Sequence, residues 1–268
     1  MVEVTFVGTG SALPPAGRGN ASFTVRTKNM LFLADAGPSV WGDLWRAGVV
    51  PGEIDTVFLS HGHADHILGF PQLALQAQFA PRFKPLRVLC TATVRKTISD
   101  ITRLTFPEAT PALEKFVWIE LPEGPLQEVD LGDGVQLTSQ LVYGPPYMPV
   151  LGIRLDFPHD VSLAFSADTR FYDYQFASLA RNCDLLIHDA FVSSAVQHQA
   201  SSAEMVFHST VSQAAQVAAY ANAKRLALMH RSLEKTYRQK LEDEAREHFK
   251  GTILVPDDGF CIRLDAIQ

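Results

Sequence analysis

Residues 56–70 read TVFLSHGHADHILGF, an apolar strand signal from Thr56 to Ser60 that runs straight into His61-Gly62-His63-Ala64-Asp65-His66. Four ligand-type side chains stand within six residues. In an extended chain, positions i and i+2 face the same way, so His61 and His63 can reach one metal ion. Gly62 and Ala64 leave the space around them open. A helix suggested from Ile67 onward turns the chain, which directs Asp65 and His66 elsewhere, toward a second ion close by. Imidazole and carboxylate together suit zinc, manganese or iron rather than calcium or magnesium. A single histidine here would more often only solvate a strand end; this spacing points to ligation.

Two further segments end in the same way. VSLAFSAD closes on Asp168 and RLALMH closes on His230, each at the carboxyl end of a strand signal. Ligand-binding residues gather at the carboxyl edge of the sheet in layered α/β folds, so strand ends bearing ligand types suggest one shared site. An aspartate offers two oxygens, so Asp168 can bridge two ions. Strand signals recur at Val2–Val7, Ser22–Thr27, Met30–Ala34, Leu86–Cys90, Val135–Leu141, Leu151–Phe157, Leu185–His188 and Phe260–Leu264. The clearest helices are Ser212–Asn222, opening after the capping candidates Ser209 and Thr210, and the charged stretch Glu234–Phe249.

With 268 residues, 47% hydrophobic, 19% charged and a net charge of -6, the chain reads as an ordinary globular protein, and disordered, collagenous and coiled-coil classes are excluded. The expectation is one domain over residues 1–268. The charge balance does not favour wrapping a polyanion. Cys90, Cys183 and Cys261 have no CxxC spacing and read as buried small residues in a reducing cytosol. The opening MVEVTFVGTGSALPP lacks a basic n-region, and no run of the ~20 residues that cross a bilayer is apolar throughout, so a cytoplasmic protein without membrane contact is expected.

HGHADH resembles the HxHxDH signature of the metallo-β-lactamase superfamily. Further segments resemble its ribonuclease Z branch: VEVTFVGTGSALPP, LFLADAGPS, HADHILGFPQL, SADT, LLIHDAF, FHSTVSQAAQVAAYANAKRLALMHRS and VPDDGFCIRL. The resemblance runs in order over nearly the whole chain. It implies a four-layer αββα sandwich and a dinuclear site, zinc first among the candidates. His61 and His63 would bind the first metal; Asp65, His66 and His230 the second; Asp168 would bridge. It also gives His208, in HST, the role of proton donor to a leaving oxygen. Asp189, in IHDAF, stands where the branch usually has the glutamate that orients that histidine, and Asp65 would orient the attacking water.

The chain departs from the branch twice. Ribonuclease Z proteins supply a third histidine to the first metal from the segment matching LVYGPPYMPVLGIRL, which contains none here. Tyr143 and Tyr147 are the nearest side chains, neutral tyrosine is a poor ligand, and weak occupancy of the first site is expected. The arm that grips transfer RNA in bacterial members lies between two strands that LGIRLDFPHDVSLAFSAD joins with only Pro158–Asp160. RNA as a partner is therefore disfavoured, and small phosphodiesters become the leading substrates. Transfer RNA 3′-end cleavage, hydrolysis of esters, lactones or sulfates, and metal binding without catalysis are the alternatives. A homodimer stays open: the branch often forms one, and composition demonstrates no interface.

Other motifs carry less. Gly8-Thr-Gly10-Ser-Ala-Leu13 runs into Pro14 and Pro15 instead of a helix and reads as a turn. Asp35 and Gly37 read as a turn whose carboxylate accepts backbone donors. Phe171, Tyr172, Tyr174 and Phe176 read as a helix packing face or a cleft lining. His198 and His248 read as surface residues.

Overall fold

The computed structural model describes residues 1–80, 85–124, 126–170, 174–197, 207–232 and 238–264. By its internal contacts the chain divides into two compact units, one dominated by Ala16–Pro122 and the other by Glu123–Pro256.

The first unit is built on a seven-stranded sheet whose order is β14-β1-β2-β3-β4-β5-β6. These strands are β1 (Val2–Gly8), β2 (Ser22–Arg26), β3 (Leu31–Ala34), β4 (Thr56–Phe58), β5 (Arg87–Cys90), β6 (Val117–Glu120) and β14 (Cys261–Leu264). β1 to β3 form an antiparallel meander; β3 to β6 run parallel. Alternation with a period of two puts Leu31, Leu33, Val57, Leu59, Val88 and Cys90 into one buried cluster. Helices α1 (Val40–Arg46), α3 (Phe70–Phe79), α4 (Ala92–Thr105) and α5 (Thr110–Lys115) supply Val40, Leu44, Phe70, Leu73, Val94, Ile98 and Leu113 to the same cluster. Phe32, Phe58 and Leu89, on the opposite face of these strands, are equally buried. A sheet buried on both faces accounts for the continuous apolar runs that mark its strands.

The second unit repeats this plan with its own seven-stranded sheet, β13-β12-β11-β10-β9-β8-β7. Its strands are β7 (Gln127–Gly132), β8 (Val135–Val142), β9 (Val150–Phe157), β10 (Val161–Phe165), β11 (Leu185–Asp189), β12 (Arg225–Met229) and β13 (Thr252–Leu254). β7 to β10 are antiparallel and β10 to β13 parallel. β9 and β10 pair from Phe157↔Val161 and are closed by three residues, with His159 and Asp160 both in the left-handed region. The space for an arm between these strands is thus a tight hairpin turn. Helix α8 (Val211–Tyr220) starts at Thr210 in a capping box: Thr210 Oγ1 accepts from Gln213 N, and Gln213 Oε1 accepts from Thr210 N at 2.8 Å. Of the two capping candidates Thr210 is the one used. Helix α9 (Arg238–His248) realises the charged helix, whose predicted start at Glu234 lies outside the described residues.

One cysteine departs from expectation. Cys90 and Cys183 are buried and Cys261 is exposed, because edge strand β14 turns it outward. Phe176 is fully buried in α6 (Tyr174–Leu179) beside His188, the packing outcome, while Phe171, Tyr172 and His198 fall outside the described residues. His248 is exposed. Among the described residues no helix is long and apolar enough to cross a membrane.

Candidate metal centre

Each unit gathers ligand-type side chains at the carboxyl ends of its parallel strands. In the first unit, HGHADH lies between β4 and the short helix α2 (Ala64–Ile67). His63 is extended, with φ -67° and ψ 148°, which brings His61 Nε2 to 3.0 Å from His63 Nδ1. His66 sits on the helical turn, its ring centroid 4.1 Å from that of His61 and its Nε2 3.2 Å from Asp65 Oδ2.

Behind these residues lies Asp35, just past β3 at φ 59° and fully buried. Its Oδ1 accepts from Ser60 N at 2.8 Å, and its Oδ2 accepts from Ser60 Oγ at 2.8 Å and lies 2.8 Å from His66 Nδ1. Ser60 Oγ is in turn 3.0 Å from His61 Nδ1. The turn reading of Asp35 captured its backbone acceptor role and missed its grip on the imidazoles. The sequence signal was an aspartate inside the apolar stretch LFLADAG. Gly37 completes the support: a Cβ there would collide with the Asp65 carbonyl oxygen, so only glycine lets the two segments lie together.

In the second unit, Asp168, Asp189, His208 and His230 each present a ligand atom within 4.8 Å of the others. Asp168 follows β10, Asp189 ends β11 and His230 follows β12. His230 itself has φ 59°, and Ala167, next to Asp168, has φ 50°, so the backbone bends into the left-handed region where these ligands leave their strands. His230 Nε2 is 3.4 Å from Asp168 Oδ1, and His230 Nδ1 is 3.7 Å from Asp189 Oδ1. Asp189 Oδ2 lies 2.9 Å from His208 Nδ1 and also accepts from Thr169 N at 3.2 Å and Ser209 N at 3.3 Å. Phe191 stacks on His208 at 4.6 Å, and His208 stacks on His230 at 5.0 Å. Thr169, Ser209 and Phe191 were not anticipated as supports of the pair, because their partners are distant in sequence.

The donor chemistry in both units fits divalent metal. Imidazole nitrogens and carboxylate oxygens converge with little solvent, a set of electron-pair donors whose buried negative charge favours a cation. Tyr143 and Tyr147, at 60% and 68% exposure, lie on the histidine-free loop between β8 and β9, and Tyr147 packs its ring against Phe207. His159 occupies the tip of the β9–β10 turn.

A family model for the beta-lactamase superfamily domain matches residues 31–231. This chain belongs to the metallo-β-lactamase superfamily. The ribonuclease Z of Halobacterium salinarum is 30% identical over 96% of this chain and 96% of its own length, which places the chain in the ribonuclease Z-like branch. Among solved structures, the metallo-beta-lactamase fold protein YhfI from Bacillus subtilis has a TM-score of 0.79 at 22% identity, covering 98% of this chain and 100% of its own. The short form of human tRNase Z has a TM-score of 0.78 at 22% identity, covering 98% and 99%. The chain is thus a metallo-β-lactamase superfamily hydrolase, with the expected αββα class of fold.

Proposed function

We propose that this metallo-β-lactamase superfamily member hydrolyses small phosphodiesters as one hydrolase domain over residues 1–268. His61 and His63 would hold one divalent ion, Asp65, His66 and His230 a second, with Asp168 shared and zinc the first candidate. Such ions, when bound, would supply an acidified water and positive charge to offset the charge that develops on the phosphoryl group. Asp65 would orient the attacking water through its carboxylate. His208 gives its Nε2 proton to the leaving oxygen, while Asp189, bonded at Nδ1, aims the ring and stabilises its protonated form. The single observation that carries this reading is the 2.9 Å His208–Asp189 pair packed against the Asp168–His230 donors. The three free thiols agree with a cytoplasmic setting.

The three-residue β9–β10 turn and the net charge of -6 favour a small substrate over a long polyanion. The second reading, RNA 3′-end cleavage, is supported by the 30% identity to a ribonuclease Z. The test begins with metal content per chain, purified without chelator or histidine tag, followed by bis(p-nitrophenyl) phosphate, cyclic nucleotides and transfer RNA as substrates. Chelator-sensitive turnover of the small diesters supports the main reading. Transfer RNA bound in a salt-dependent way and cut at its 3′ end replaces it with the second. Protein that neither holds nor accepts metal overturns both.

A further inference from the structure

Arg170 lies two residues past Asp168, and Phe207 immediately precedes His208. The structure puts these two together: the Arg170 guanidinium carbon sits 5.1 Å from the Phe207 ring centroid. The stack is braced on both sides. Arg170 N donates to Tyr143 O at 2.7 Å, and Tyr147 meets the Phe207 ring edge-on at 6.1 Å. Ser209 Oγ donates to Thr169 O at 2.9 Å, tying the two segments just beyond the pair.

Among the described residues no carboxylate pairs with the Arg170 guanidinium, and its buried Nε has no hydrogen-bond partner. That combination is costly unless something else supplies the acceptors: a partly buried cation resting on an aromatic face keeps its N–H fork unused. A guanidinium fork matches the paired oxygens of a phosphate or carboxylate. The neighbouring carboxylates are turned to the imidazoles, Asp189 to His208 and Asp168 toward His230.

We infer that Arg170, shelved on Phe207, is an anion-binding residue that selects substrates carrying negative charge on the group being cleaved, a phosphodiester over a neutral ester or lactone. This inference rests on the phosphodiesterase reading and assigns the residue that makes the choice. The Tyr143–Tyr147 loop, which lacks the branch's histidine, then has a role of its own: it fixes the start of the Arg170 segment and walls the aromatic shelf.

The test compares wild type with Arg170→Gln, Arg170→Lys and Phe207→Leu, each checked for an unchanged thermal melt and metal content. Loss of one charge-assisted contact predicts that kcat/KM for bis(p-nitrophenyl) phosphate, relative to p-nitrophenyl acetate, falls about ten- to a hundred-fold in Arg170→Gln, mostly through KM. Arg170→Lys recovers part of the loss, and Phe207→Leu shows a smaller one. Inorganic phosphate binding, followed by calorimetry, weakens in the same order. Equal diester-to-ester ratios and equal phosphate affinity in wild type and Arg170→Gln overturn the inference. If wild type cleaves only the neutral ester, the phosphodiesterase reading fails, and the phosphate titration alone then decides the role of Arg170.

Discussion

Asp35 Oδ2 lies 2.8 Å from His66 Nδ1, with both side chains out of reach of solvent. The same carboxylate holds Ser60, whose hydroxyl touches His61, so one buried anion sets the aim of two candidate ligands. A hydrogen bond to one ring nitrogen fixes the tautomer and leaves the other as the ligand atom. Asp35→Asn is therefore expected to lower metal affinity ~10–100-fold, measured by competition with a chromophoric chelator. Unchanged affinity in a folded variant would remove Asp35 from the site's support.

His208 is expected to act as an acid, so the rate should fall as pH rises and the ring loses its proton. In His208→Ala, kcat drops ~10²–10⁴-fold and the high-pH limb of the pH–rate profile disappears, with metal content retained. A profile that keeps this limb assigns the proton to another group.

Burial pushes the Cys90 and Cys183 thiols up to about 12, chiefly by desolvation of the thiolate. The reactive form is the anion, so both stay protonated and inert at neutral and mildly alkaline pH. Cys261 is exposed, so a reagent in solution can reach its sulfur. A thiol reagent at pH 8 should thus label one cysteine per native chain and all three after denaturation. Fast labelling of three in the native protein would contradict the burial.

Glu244 Oε1, on α9, accepts from the backbone and hydroxyl of both Ser194 and Ser212, at 2.7 to 3.0 Å. It serves the first turns of α7 (Ser194–Gln197) and α8. Glu244→Ala leaves those donors without their acceptor and is expected to cost ~1–3 kcal/mol, read by chemical denaturation, with Glu244→Gln recovering part of it. A change under ~0.5 kcal/mol would mean that water replaces the carboxylate.

The strands that went unread have one thing in common. β6, β7 and β13 all lie at sheet edges, and β7 shows five of its six residues exposed or partly exposed. Edge strands face water on a flank and often on a face, so they need no apolar run and leave little pattern. The central strands, buried on both faces, could not hide theirs.

The sequence by itself determined the ligand types and their local geometry: HGHADH after a strand, with Asp168 and His230 at strand ends, follows from periods of two and 3.6 residues that act within a few positions. It also determined the α8 cap, since Thr210 and Gln213 are three residues apart. Only the tertiary structure decided that Asp35 reaches across 31 positions to His66, that Asp189 takes donors from Thr169 and Ser209, and that Arg170 rests on Phe207. Contacts of that kind depend on which strands become neighbours in a sheet, a choice made by the burial of the whole core rather than by any local pattern.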